Sequence, residues 1–191
     1  MDKIIKNFMG FLIDQGFDAV ETDYEQRGYH LEVVLAADQV REFVKKAYEL
    51  GFYLVFVAGF QIRPAQENDS RLSGLAVVYQ FARYDRQYRI KARALVPDNL
   101  EIPSISDIYQ GADWHERETR DFYGIVFSGH PNLKPLLLSD QDADFHPLLK
   151  EEKKLKSLEA VSWPLEAPET TESVAGDEIG RGRDVITDEK K

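Results

Sequence analysis

Phe52-Tyr53-Leu54-Val55-Phe56-Val57-Ala58-Gly59-Phe60, with Gly51 before it, is the longest apolar stretch of the chain. It is too short for a buried helix and rich in β-formers, so it reads as a central strand. It also falls far short of the ~20 residues a membrane-spanning helix needs. Immediately upstream, Asp38 is expected to cap a helix whose apolar stripe is Val40, Phe43, Val44 and Ala47 and which Gly51 ends. Residues 17–36 read as two strands around a turn near Gln26-Arg27-Gly28, with Leu31, Val33 and Leu35 alternating with Glu32 and Val34. Residues 3–15 read as an amphipathic helix through Ile5, Phe8, Met9, Leu12 and Ile13, stopped at Gly16. Its polar face is not rich in Lys or Arg, which favours packing on a sheet over lying on a membrane.

Downstream of the apolar run, residues 63–72 are polar, contain Pro64, Asn68, Asp69 and Ser70, and read as an exposed loop. Two further strands follow, at about 74–84 and 87–96, joined at Asp85-Arg86. In the second, Arg89, Lys91 and Arg93 point one way while Ile90, Ala92 and Ala94 point the other, so one sheet face is basic. That face is either a docking surface for an acidic partner or a solvated sheet face; the spacing does not choose between them. The order α-β-β-α-β-β-β, with short connections, predicts an α+β fold: a mixed or antiparallel sheet with helices packed on one face. It is not the alternation of a doubly wound nucleotide-binding fold.

The 191 residues suit one domain, over residues 1–150, plus an extension at 151–191. Eleven Phe and nine Tyr supply bulky core material. After Trp163 the chain turns polar and acidic, with Pro164 and Pro168 and almost no aromatics. Such a segment buries too little apolar surface to offset its ordering entropy, so a charged helix or extended tail is expected, flexible or laid on a partner. The net charge of −10 argues against nucleic acid as the main partner. With no cysteine, disulfides, thiolate nucleophiles and Cys-ligated zinc or iron–sulfur clusters are excluded from these residues. Asp2, Lys3, Lys6 and Asp14 interrupt the first residues, so no secretory leader is expected there.

The chemically richest segment is 112–137. Asp113 reads as an N-cap, with Glu116 completing a capping box, for a helix from Trp114 to Tyr123 that Gly124 stops. Glu116–Arg120 and Arg117–Asp121 have the i,i+4 spacing of intrahelical ion pairs, and Trp114, Phe122 and Tyr123 are its expected anchors. Ser128-Gly129-His130-Pro131 reads as a turn, and Leu136-Leu137-Leu138 as a buried segment. A metal-dependent hydrolase built on His115, Glu118, Asp121 and His130 is conceivable from residue type, but the spacing fits a surface helix better. The chain has no Gly-x-x-x-x-Gly-Lys, Gly-x-Ser-x-Gly or Gly-x-Gly-x-x-Gly, and Gly180-Arg181-Gly182 reads as linker.

The run Glu116-Arg117-Glu118-x-x-Asp121-Phe122-Tyr123-Gly124-Ile125-x-Phe127-x-Gly129-His130-Pro131-x-Leu133 resembles the signature of the C subunit of respiratory complex I, the proton-pumping NADH:quinone oxidoreductase. Relatives of that protein occur in membrane-bound energy-converting hydrogenases and formate hydrogenlyases. The resemblance, extended over about residues 1–150, implies a subunit without cofactor in the peripheral arm, on the cytoplasmic side of the cell membrane, touching the membrane only through the complex. It implies docking on the large hydrogenase-like subunit beside the small iron–sulfur subunit, near the quinone site; iron–sulfur clusters, flavin or a nickel–iron centre would belong to partner subunits. Trp114, Glu116, Arg117, Glu118, Asp121, Phe122, Gly124, Gly129, His130 and Pro131 are then structural and docking residues rather than catalytic ones. Arg117, Glu118, Asp121 and His130 are expected to make ion pairs and hydrogen bonds between elements or subunits. Where the family usually repeats Gly-His-Pro-Leu-Arg-Lys, this chain has Phe145-His146-Pro147-Leu148-Leu149-Lys150. That departure keeps the hydrogenase-type branch open as an alternative.

Overall fold

A computed structural model describes residues 3–62, 74–85 and 87–149. Helix α1 (Lys3–Asp14) leads to strand β1 (Asp18–Glu21), a one-turn helix α2 (Tyr24–Arg27) and strand β2 (Leu31–Leu35). Helix α3 (Val40–Glu49) and strands β3 (Tyr53–Ile62), β4 (Gly74–Ala82) and β5 (Arg89–Leu95) follow. A short strand β6 (Glu101–Pro103), helix α4 (Ala112–Tyr123) and strand β7 (Val126–Ser128) complete the regular elements before a 3-10 turn at Asp140–Asp142. The loop expected at 63–72 and the tail beyond 150 lie outside the described residues, as does Arg86 at the expected β4–β5 turn.

The main sheet has the order β1-β2-β5-β4-β3, antiparallel except where β2 runs parallel to β5. The α+β class with a mixed sheet is therefore as expected. The strand at 52–60 is not central, however: β3 is the edge of the sheet. Helix α4 covers one of its faces, the one that carries Val57 and Gly59, while Val55 and Ala58 are exposed. Val57 and Gly59 lie opposite Tyr79 and Val77, and a Cβ at Gly59 would fall 2.8 Å from Thr119 Cγ2 and 2.7 Å from the Tyr123 ring, both on α4.

The same row parity fixes which face carries the helices. Val77, Tyr79 and Phe81 of β4 lie opposite Ala94, Ala92 and Ile90 of β5. Phe81 meets Phe43 of α3 at 5.8 Å between ring centroids, and Phe43 meets Phe8 of α1 at 5.5 Å. Thus α1, α3 and α4 share one face, and Leu12, Leu31, Val33, Leu35, Ile102 and Phe127 join the continuous core beneath them. The alternation read in β5 holds, with Ile90, Ala92 and Ala94 buried and Arg89, Lys91 and Arg93 on the helix-free face.

Two local expectations change. The turn before β2 is a helical turn, where Asp23 accepts the Glu25 N–H at 3.0 Å and Gly28 closes it at φ 75°. Asp38 does not cap α3. It lies within a 3-10 turn at Ala37–Gln39, where the Gln39 side chain reaches back to accept the Ala36 N–H at 2.9 Å. The reason is that α3 begins later than its polar N-cap candidate requires, at Val40.

Candidate functional site

The second small sheet positions the signature segment. β6 pairs in parallel with β7, and α4 connects them. The chain thus folds 101–107, α4 and 126–138 into one unit, and polar side chains of α4 find partners on both flanks.

Glu116 faces the 104–106 flank. Its side chain is buried; Oε2 accepts the Ser104 hydroxyl at 2.6 Å and Oε1 accepts the Ile105 N–H at 2.8 Å. Burial pushes its carboxyl up to about 7 despite these hydrogen bonds, and Asp113 and Asp107 add to the rise. The buried Tyr79 hydroxyl has no hydrogen-bond partner among the described residues; burial first, then Glu116, raises it well above the usual phenol range. On the outer side, Arg41 donates to Ser104 O at 2.6 Å and forms a two-pronged pair with Asp107, at 2.8 and 2.6 Å. This pair lies across the flank between Ser104 and solvent.

His130 inserts beside the same carboxyl. Its side chain has no exposure. Nδ1 accepts the Asn132 N–H at 3.0 Å, which leaves the ring proton on Nε2. Nε2 lies 3.3 Å from Asp113 O, 3.5 Å from Asp113 Oδ1 and 3.9 Å from Glu116 Oε2. Gly129 makes the approach possible by turning at φ 83°.

Asp121 faces the other flank. One oxygen, Oδ2, accepts the N–H groups of Leu136, Leu137 and Leu138 at 2.8, 2.8 and 3.2 Å, while Arg120 lies 3.4 Å from Oδ1. Burial opposes ionisation, but these three N–H groups and the Arg120 cation overcome it and hold the carboxyl below its ordinary value. Arg117 clasps the same stretch of chain, donating to Lys134 O at 3.0 Å and Pro135 O at 2.9 Å. The 134–138 stretch is therefore fastened by its backbone rather than its side chains. Leu137 is 60% exposed, so the expected buried Leu136–Leu138 segment is a held loop.

A third partner comes from the altered second motif. The His146 ring lies so close to Gly124 that a Cβ there would sit 2.7 Å from it, and Nδ1 of His146 lies 3.0 Å from Asp121 O. Gly124 stops α4 at φ 71°, as expected, and it also makes room for that ring. The signal is present in Phe145-His146-Pro147, which spacing alone does not connect to Gly124.

Several details depart from the sequence reading. Helix α4 starts at Ala112 with Gly111 as its N-cap, so Asp113 is inside the first turn and forms no capping box with Glu116. Glu116–Arg120 and Arg117–Asp121 are not the pairs made. Arg117 lies 4.0 Å from Asp113, and Glu116 and Asp121 take tertiary partners. Trp114 is no anchor, being 68% exposed. Phe122 and Tyr123 are half-buried, Pro131 is exposed, and Glu118 has no ion pair or hydrogen bond among the described residues. The set His115, Glu118, Asp121 and His130 does not converge, because His130 turns to Glu116 and Asp121 is spent on amides. Among the described residues, no group of three or more His, Asp and Glu is placed to hold a metal, and no helix is long and apolar enough to cross a membrane.

Known proteins resemble this chain in sequence and fold. The chain is 42% identical over 82 residues to the C subunit of NADH-quinone oxidoreductase from Mesorhizobium japonicum, covering 43% of this chain and 40% of that protein. It spans about two-fifths of the length of that relative and of its counterpart in Rhodopseudomonas palustris. It is 36% identical over 116 residues to the C subunit of F(420)H(2) dehydrogenase from Methanosarcina mazei, covering 60% of this chain and 68% of that protein. The fold superposes on the trypsin-resistant fragment of Nqo5 with a TM-score of 0.56 at 25% identity, covering 68% of this chain and 99% of that one. A chain of the membrane-bound sulfane sulfur reductase, an archaeal respiratory membrane complex, shares the fold with a TM-score of 0.55 at 21% identity, covering 74% of this chain and 81% of that one. The pattern of the respiratory-chain NADH dehydrogenase 30 kDa subunit matches residues 33–157, from within β2 through α4 and past the His146 motif, and this chain belongs to that family.

Proposed function

We propose that this chain is a cofactor-free structural subunit of the peripheral arm of a proton-pumping NADH:quinone oxidoreductase of the complex I type. It docks on the large hydrogenase-like subunit near the quinone site, beside the small iron–sulfur subunit, on the cytoplasmic side of the membrane. The observation that carries this reading is the way the signature spends its polar groups. Asp121, Arg117 and Glu116 are occupied by backbone and hydroxyl partners of this chain, an arrangement that shapes a rigid surface rather than a reacting cleft. Trp114 and Glu118, exposed or unengaged on α4, are the groups that arrangement leaves for a neighbour.

A second reading places the same subunit in a related membrane-bound complex, an energy-converting hydrogenase or an F(420)H(2)-oxidising enzyme. Its support is that the F(420)H(2) dehydrogenase protein is matched over 68% of its length, against 40% for the Mesorhizobium one. One experiment tests both. The native chain is isolated under mild conditions, its companions are identified and their flavin, iron and nickel contents measured. Companions including a large subunit without nickel, together with flavin and NADH oxidation, match the first reading. Nickel in the large subunit, or oxidation of F(420)H(2) only, selects the second. In the same preparation Asp121→Ala is expected to lower the yield of assembled complex before it alters turnover per assembled complex. Full assembly with lost turnover would refute a structural role.

A further inference from the structure

The sheet face opposite α1, α3 and α4 ends in a notch of about 350 Å³ that the signature does not use. Its geometry follows from strand register. Tyr53, Ala82 and Arg89 are opposed in one row across β3, β4 and β5. Ala82 is the small residue between two large ones, so it forms the floor. Tyr84 stacks on Tyr53 at 4.1 Å between centroids and builds one wall. The other wall is Tyr24, under the Arg89 guanidinium at 5.9 Å, and it belongs to a three-ring stack with His30 and Tyr88 at 4.6 and 4.7 Å. Arg83 lines the notch too, held by Asp85 at 2.7 and 2.8 Å and by Leu50 O.

The charges are unequal. Asp85 balances Arg83, and Glu32 balances Lys91 at 3.3 Å in the next row. Among the described residues no carboxylate pairs with Arg89, and Arg93 further along the same face has a buried Nε without a hydrogen-bond partner. In a chain of net charge −10, this end of the sheet holds one cation, Arg89, that no carboxylate among the described residues pairs with, and it is set against fixed tyrosine rings. Tyrosine and arginine in a concave, pre-ordered setting are the residue types that dominate protein interfaces, and rings already stacked lose little freedom on binding. The notch is open on its solvent side, so it would not enclose a small molecule as ligand pockets do.

We propose that this notch receives an acidic segment of a neighbouring subunit, with an Asp or Glu carboxylate on Arg89 and a flat or aliphatic side chain against Tyr84 and Tyr53. It rests on the reading of the chain as a docked subunit and adds a second contact surface, on the sheet face opposite α4. The test uses full-length chain in its native complex. With Tyr84→p-benzoylphenylalanine and ultraviolet light, mass spectrometry is expected to find a cross-link to an Asp- or Glu-bearing peptide of another subunit. Adding Arg89→Glu is expected to lower its yield at least about fivefold, while Arg89→Lys keeps most of it. Tyr84→Asp, at a side chain 85% exposed, gives up the Tyr53 stack but leaves the core intact, and it is expected to cost retention in the complex at raised salt. A cross-link only to acidic residues 164–191 of the same chain overturns the proposal, as does an intact complex with no inter-subunit cross-link. A yield indifferent to Arg89→Glu also overturns it. If the wild-type chain joins no membrane complex at all, the docking reading itself falls, and this inference with it.

Discussion

Glu116 and Asp121 sit little more than one helical turn apart on α4, both without measurable exposure, yet their carboxyls are displaced in opposite directions. Glu116 has one hydroxyl and one amide to accept, with Asp113 and Asp107 nearby, and its carboxyl is pushed up to about 7. Asp121 has three amides and Arg120, and its carboxyl is held low. Burial opposes ionisation of both, but it weighs more heavily on Glu116, where it is the main cause of the rise. At Asp121 three N–H groups and Arg120 outweigh it and reverse the sign. The two ends of the same helix are thus fastened differently: to the 104–106 flank by a carboxyl poised near neutrality, and to the 136–138 flank by a firm anion.

Removing the anion is the most severe way to break this comparison. Asp121→Ala strands three backbone N–H groups and is expected to destabilise the purified chain by ~3–5 kcal/mol in urea unfolding, at ~1–3 kcal/mol for each unmet group less what solvent recovers. Asp121→Asn keeps an acceptor and should cost about half as much. A loss below about 1 kcal/mol for the alanine variant would show that the 136–138 loop is not held by this carboxylate. Since the folded carboxyl is depressed, its stabilisation is present above the unfolded value and is lost as pH falls through the folded one, below about pH 4.

The Glu116 end should respond to pH with the opposite sign. Its folded carboxyl keeps a proton that the unfolded chain releases near 4.5, so stability is greatest below that point and falls as pH rises towards about 7. The full swing is ~3 kcal/mol, at about 1.4 kcal/mol for each unit of displacement. Urea midpoints between pH 5 and 8 read it directly. Glu116→Gln can still accept the Ile105 N–H through its amide oxygen and donate to the Ser104 oxygen through its amide nitrogen, and it removes the titration, so its profile is expected to be flat where the parent's slopes. A parent profile flat across this range would mean that the site holds a full carboxylate and that the contrast with Asp121 is one of degree.

What is legible in the sequence follows the same division between local and tertiary causes. Helix stripes, the alternation of β2 and β5, and the stops at Gly16 and Gly124 depend on neighbours in sequence, and the structure bears them out except at Ile13, which is 73% exposed at the end of α1. The two i,i+4 pairs expected on α4, Glu116–Arg120 and Arg117–Asp121, do not form, because partners 11 to 18 residues away in the chain supply better geometry. The same limit misplaces β3: its apolar run looks central, but it is an edge whose cover arrives with α4, about sixty residues later. The signature is recognisable as a pattern without its physics. Spacing cannot say that Asp121 faces amides and Glu116 faces a serine.

The smallest effect probes the clamp at the Asp121 end. Gly28 and Gly124 both close helices at positive φ, 75° and 71°, but space is open around Gly28 while Gly124 faces the His146 ring. Gly28→Ala should therefore cost only the left-handed strain, ~1 kcal/mol. Gly124→Ala should cost ~2 kcal/mol, the excess coming from displacing a ring that also lies against Asp121 O. If that excess is the His146 contact, it should vanish in the background His146→Ala, giving a coupling of ~1 kcal/mol in a double-mutant cycle. Additive losses would separate His146 from Gly124 and leave the altered second motif without a role in holding α4. A coupling of the expected size would instead make it the third fastening of the helix, beside the serine flank and the amide loop.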